Sequence, residues 1–335
     1  MSDSGLQLER PLRIVLPGGS GQVGRMLARY FQQRGHHVIV LTRGPYTAAW
    51  PTVHWDGQTL GPWVETLEGA DVCIHLSGRS INCRYTERNR RALRDSRIGP
   101  TLLLHRAMAS LANPPRLWMN ASAANIYRHS LDTPMDEATG EIGGNEPISR
   151  RRRAPEKWNW AVELVKDWEA AFFSTPTPRT RKIALRTSLV FSPSPGSVFA
   201  VLSHLVRAGL GGAQGSGRQM VAWMHEADYA QAIEFLMERE EIEGPVNLAA
   251  PYPLPNREFM AALREAWGMP NGLPAPALLM AFGMFFLRQE PELILKSRYV
   301  VPGRLLDAGF AFQFPAWPEA ATDLVRQRRL DRGRS

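Results

Sequence analysis

Cysteine is nearly absent from the 335-residue sequence, which holds only Cys73 and Cys83. Two thiols build neither a disulfide framework nor a cysteine-based zinc cluster, and they point to a reducing, cytoplasmic setting. The polar start MSDSGLQLERP lacks the apolar core of a leader peptide, so residues 1–10 read as a disordered N-terminus. Long apolar runs are missing as well. The longest uncharged stretch, Ala266–Leu287, is broken in its first half by Gly268, Pro270, Gly272, Pro274 and Pro276. That leaves about 13 apolar residues where a membrane span needs ~20. No membrane partner is expected, and Pro276–Leu287 reads as a buried core or dimer helix.

Acidic residues are the scarcer charge, 32 against 40 Lys and Arg, for a net charge of +8. The arginine-rich stretches, Arg150–Arg153 and Arg326–Arg334, lie far apart. They read as a solvated loop and a frayed basic tail over 326–335 rather than a nucleic-acid surface. A basic chain also suits phosphorylated ligands. Apart from His36-His37 the eight histidines are dispersed, so no metal site is expected. Gly215-Ser216-Gly217 lacks the spacers of a hydrolase nucleophile elbow.

What the sequence does contain is alternation. Short apolar runs at Leu12–Leu16, His37–Leu41, Val72–Leu76, Leu117–Ala121 and Ile183–Val190 are separated by helix-like segments at Gly21–Arg34, Glu87–Leu111 and Lys157–Phe173. Buried strands alternating with helices predict an α/β, Rossmann-type doubly wound parallel sheet, spanning 11–191. Beyond Phe191 the pattern changes to Pro- and Gly-broken helical pieces, a smaller and mainly helical substrate-binding region over 192–325. Asp132–Glu156 reads as a long surface loop.

The strongest local signal follows the first strand. Gly18, Gly21 and Gly24 are spaced G-x-x-G-x-x-G just before a helix. Glycines there permit a tight turn and close backbone approach to a pyrophosphate, and the helix N-terminus attracts its charge. The second strand ends in Thr42-Arg43-Gly44, without the acid that accepts ribose hydroxyls in NAD sites. A guanidinium favours a 2′-phosphate, so NADP(H) is the expected cofactor. Asp56 is a candidate for the adenine amine, or a turn former before Gly57.

Gly18–Gly24, Trp55-Asp56 and His75-Leu76-Ser77-Gly78 resemble the extended short-chain dehydrogenase/reductase superfamily. Leu93–Ile98, Asn120–Ala123, Asp167–Ala170, Trp223–His225 with Asp228, and Gly244–Asn247 resemble its NAD-dependent epimerase/dehydratase-like branch. Pro302–Leu305 and Gly309–Phe312 resemble the domain of unknown function that ends that branch, placed at about 275–325. The resemblance implies that Gly18, Ser20, Gly21, Gln22, Val23 and Gly24 line the pyrophosphate turn, and that Leu76, Ser77 and Gly78 flank the adenosine ribose. It places Ala121 and Ser122 beneath the nicotinamide ribose and Thr187, Ser188 and Leu189 near the carboxamide.

The superfamily's usual proton-transfer set is Tyr-x-x-x-Lys with an assisting Ser or Thr. Here the corresponding positions are Ala161, Val165 and Ala123, none of which transfers a proton. Tyr127, Ser122 and His225 are the replacement candidates, with Asp228 and Lys166 behind them. The expected function is that of an oxidoreductase or epimerase acting on a small or nucleotide-linked hydroxyl or carbonyl compound. The alternative is an inactive NADPH-binding regulatory or partner-binding protein. Glu87–Leu111 and Lys157–Phe173 offer a possible homodimer seam.

Overall fold

The computed structural model describes residues 10–45, 47–149, 152–275, 290 and 292–332. Its elements begin with β1 (Arg13–Pro17), α1 (Gln22–Gln33), β2 (His37–Thr42), β3 (Thr52–His54), β4 (Val72–His75), α2 (Glu87–Ser110) and β5 (Leu117–Ala123). The hairpin β6 (Pro147–Ser149) and β7 (Arg152–Arg153) precedes α3 (Glu156–Phe173), β8 (Arg181–Thr187) and β9 (Leu189–Phe191). Then come α4 (Val198–Arg207), β10 (Met220–Val221), β11 (Trp223–His225), α5 (Glu226–Glu238), β12 (Gly244–Leu248), β13 (Leu254–Pro255) and α6 (Asn256–Trp267). Short helices at Glu292–Leu295 and Gly303–Asp307 lead to a last helix, Trp317–Arg332.

Seven strands form one parallel sheet in the order β3-β2-β1-β4-β5-β8-β12. Side chains alternate across it with period two. Ile14, Leu16, Val72, Ile74, Leu117 and Met119 enter the core beneath α1 and α5, whereas Val15, Cys73 and Trp118 enter the core beneath α2 and α3. Both faces are therefore apolar, and both are covered. α1 turns Gly24, Leu27, Ala28 and Phe31 inward, the spacing of a single helical face.

Three details differ from the sequence reading. Ile183–Val190 is not one strand: Ser188 leaves the sheet and bonds Leu248 O, and the chain continues as β9, which pairs with β11. The sheet also takes β12 from beyond Phe191, and α5 packs Tyr229, Ile233 and Leu236 into its core. The doubly wound unit thus reaches Leu248, because β8 needs a partner on its outer edge. Finally, helix carries through the arginine-rich end to Arg332, with Arg328 buried and donating to Pro193 O. Residues 333–335 of the expected tail, the N-terminal residues 1–9, Arg150 and Arg151 of the expected arginine-rich loop and the expected helix at Pro276–Leu287 lie outside the described residues. Among the described residues no helix is long and apolar enough to cross a membrane.

Candidate functional site

The loops after β1 and β4 meet where strand order reverses, and backbone dominates there. Gly18 adopts φ +78°, and a Cβ on it would lie 2.5 Å from Ser77 Oγ and 2.7 Å from Ser77 N and Cα. Only glycine fits. A Cβ on Gly24 would lie 2.4 Å from Gly19 Cα, so its absence lets α1 close onto the turn. Gly21, by contrast, has room beside it and is exposed. It leaves the first turn of α1 open, with no side chain capping its amides, the arrangement that receives an anion.

Side chains frame this mouth. Thr42 Oγ1 donates to Ser20 Oγ at 3.1 Å, joining the β1 and β2 ends. Arg43 is exposed and, among the described residues, makes no hydrogen bond or ion pair. The loop carrying Leu76, Ser77 and Gly78 is pinned by α2: Arg97 donates to Arg79 O, and Ser96 Oγ accepts from Arg79 N. Asp56 spends its carboxylate on its own turn, accepting from Gln58 N, Thr59 N and Thr59 Oγ1, which hold it down at about 2. The geometry gives Asp56 a turn-forming role.

The other end of the crevice is filled with paired side chains. Ser122 Oγ donates to Glu169 Oε1 at 2.6 Å, and Arg186 Nε and Nη2 bind both oxygens of Glu169 at 2.9 and 2.8 Å. Arg186 Nη1 donates to Tyr127 OH at 2.9 Å, which donates to Asn247 Oδ1 at 2.9 Å. Asn247 Nδ2 reaches Val301 O, and Asn247 N donates to Glu137 Oε1. Burial weakens the charge on Arg186, but Glu169 more than restores it. Burial also pushes the Tyr127 hydroxyl up, against the pull of Arg186. Ser122 ties β5 to α3 through Glu169, and Tyr127, beyond the end of β5, bridges Arg186 on β8 and Asn247 on β12.

His225 sits at the N-cap of α5. Its Nδ1 accepts from Ala227 N to cap α5, its ring lies 4.1 Å from that of Phe314, and its Nε2 faces Asp323 at 3.3 Å. Burial pulls it down to about 4. Asp228 accepts from Gln313 N and Phe314 N, anchoring the C-terminal segment. Lys166 pairs with Glu163. Thr187 Oγ1 donates to Leu185 O and Ser188 to Leu248 O, while Leu189 sits in β9 and Ala121 stays half-buried on β5. Ala161 packs with Tyr85, Leu93 and Leu164, and Val165 with Ala123, Ala124 and Ile126, so the tyrosine and lysine positions hold alkyl groups.

Sequence reasoning missed Glu169, Arg186, Asn247 and Glu137. One signal was available: Glu169 follows Ala161 and Val165 at four-residue steps, which puts a carboxylate on the inward face of α3. Beside Val301 lies a shallow cavity of about 580 Å³ walled by Pro134, Tyr252, Tyr299, Phe310 and Phe312.

Sheet order and a glycine mouth at the switch point define a Rossmann-type dinucleotide-binding fold. The sequence pattern of the NAD dependent epimerase/dehydratase family matches residues 14–249, and that of a domain of unknown function, DUF1731, matches residues 273–324. The chain belongs to the NAD dependent epimerase/dehydratase family. It is 30% identical over 325 residues to the mouse epimerase family protein SDR39U1, covering 94% of this chain and 100% of the relative. It is 27% identical over 323 residues to the Bacillus subtilis epimerase family protein YfhF, covering 95% of this chain and 99% of the relative. The crystal structure of human SDR39U1 (isoform 2) with NADPH superposes with a TM-score of 0.81 at 27% identity, over 94% of this chain and 99% of that one. A Bacillus cereus UDP-N-acetylglucosamine 4-epimerase shares the fold, with a TM-score of 0.70 at 16% identity over 95% of this chain and 99% of that one.

Proposed function

We propose that this protein binds NADPH in the β1–β4 mouth and acts, as an oxidoreductase or epimerase, on a small or nucleotide-linked hydroxyl or carbonyl compound. The observation that carries the reading is Arg43: an exposed guanidinium, without a partner among the described residues, at the end of β2 beside an uncapped helix start. The NADPH bound to human SDR39U1 supports the same cofactor. When bound, the nicotinamide supplies or takes a hydride. The chain's part is to hold: amides of the first α1 turn receive the diphosphate and Arg43 the 2′-phosphate. Leu76, Ser77 and Gly78 flank the adenosine, and Ala121 with Thr187 and Leu189 bounds the nicotinamide.

Calorimetry with NADPH and NADH tests this. Arg43→Glu is expected to weaken NADPH about a hundredfold, the loss of strong charge-assisted bonds, and to leave NADH nearly unchanged. Equal losses, or no saturation by either coenzyme in the parent protein, refute it. A second reading, an NADPH-binding regulator without turnover, is favoured by the alkyl groups at Ala161 and Val165. NADPH oxidation against a carbonyl panel separates the two.

A further inference from the structure

The chain contains four lysines against thirty-six arginines. Lysine differs from arginine in that its charge yields to its surroundings near neutral pH. Three of the four have ordinary partners: Lys157 binds Glu290, Lys166 binds Glu163, and Lys182 donates to Phe172 O and Thr175 O. Lys296 does not. It is 1% exposed, and its ammonium has one partner among the described residues, Asn125 O at 2.8 Å. An ammonium carries three N–H groups, so two lack a described acceptor. Asn125 lies two residues beyond β5, and its Oδ1 is buried with no hydrogen bond. A buried donor with open N–H groups, bound to a residue whose own buried acceptor is open, is costly unless a ligand completes both.

The backbone fixes this corner. Ser297 N donates to His129 Nδ1, Ser297 Oγ accepts from Met220 N and donates to Ser130 O, and Arg298 N donates to Met220 O. The charged and titratable groups facing Lys296 are Glu292 and Arg298 on its own segment, and Glu146 and His129 from the chain after β5. Glu292 binds Arg298 and Glu146 accepts from His129 N and Gly144 N, so both carboxylates are engaged elsewhere. Burial, helped by Arg298, pulls the Lys296 ammonium down to about 8. The corner adjoins Ala124 and Ile126, which pack on Val165 in the lysine position of α3.

We propose that Lys296 and Asn125 form the oxygen-binding corner of the substrate site. In it Lys296 Nζ donates to a carbonyl or hydroxyl oxygen, and Asn125 Oδ1 accepts from the neighbouring hydroxyl. The ligand class is a vicinal diol or the matching hydroxy-ketone. The C-terminal segment thereby brings an ammonium to a site where α3 holds Val165 at the lysine position. The proposal rests on the reading of this end as a substrate site, and its test needs neither turnover nor coenzyme, so its failure is separable from failure of NADPH binding.

Selective ¹⁵N-lysine labelling of the full-length chain gives four Nζ signals. Lys296 is assigned by its loss in Lys296→Arg, or by elimination using arginine variants of the other three lysines. Its signal is expected to titrate near pH 8, as is that of Lys182, and to shift saturably with propane-1,2-diol, to which Lys182 and Lys166 do not respond. Asn125→Ala is expected to weaken that response about tenfold, the share of one hydrogen bond. A Lys296 signal unmoved throughout the diol titration, or moved equally in Asn125→Ala, overturns the proposal. NADPH fluorescence titration of Lys296→Arg, expected to match the parent, shows that the fold is retained.

Discussion

The β1–β4 mouth and the β5–β8–β12 floor occupy one edge of one sheet, yet they are built from opposite materials. At the mouth, glycine clears side chains away, leaving bare amides and one guanidinium, that of Arg43, without a partner among the described residues. At the floor, Ser122, Glu169, Arg186, Tyr127 and Asn247 satisfy one another in an interior chain of hydrogen bonds. The first surface is unfinished without a ligand; the second is finished within the protein. Polar residues in a crevice therefore do not by themselves mark chemistry. What separates a site from a strut is whether the polar atoms are left over.

The largest way to break this contrast is at Glu169. Glu169→Ala strands a buried arginine, and urea unfolding is expected to show a loss of about 3–5 kcal/mol. A loss well under 1 kcal/mol removes the floor's structural role. Next is pH. His75, which bonds Asn120 between the two regions, and His225 are both pulled down to about 4 from 6.5 by burial. Each binds a proton more readily when unfolded, so their contribution is complete above pH 6.5 and falls away toward pH 4. The loss is on the order of 3 kcal/mol apiece. Asp228, pushed up to about 6 by burial, works the other way and offsets part of it. Unfolding at pH 7 and pH 5 checks this, with His225→Asn expected to flatten the slope.

Gly18→Ala sharpens the contrast from the mouth. It is expected to weaken NADPH by at least a hundredfold, about 2.7 kcal/mol, with the fold retained; unaltered affinity sinks the cradle. The smallest effect belongs to Tyr127→Phe. It removes one hydroxyl between Arg186 and Asn247 and is expected to lower stability by about 1 kcal/mol. Any turnover found with a carbonyl panel is expected to keep its rate in this variant, and a rate collapse would return Tyr127 to the chemistry.

Local features carried much of this into the sequence. Strands with all residues apolar, such as Val72–Ile74, announced a sheet covered on both faces, and the glycine spacing announced the mouth, because both depend on neighbours in sequence. The expected absence of Tyr-x-x-x-Lys also follows from spacing along one helix. The floor was illegible for the opposite reason. Glu169 meets Ser122 and Arg186 only because α3 and β8 both lie against β5, and Tyr127 meets Asn247 only once β12 is in place. Tyr127, Ser122 and His225 were singled out as ionisable or hydroxyl-bearing, and the partners they are buried among lie far along the chain. Lys296 was invisible because its partner Asn125 lies far along the chain.

The position of β12 has a consequence for synthesis on the ribosome. When Thr187 emerges, β8 can pair with β5, but its opposite edge stays open until Gly244–Leu248 has been translated. At ~5–20 residues per second that interval lasts several seconds, during which an apolar, unpaired strand edge faces the cell. A nascent chain stalled between these points is expected to recruit chaperones or aggregate, and fragments ending near Phe191 to be insoluble.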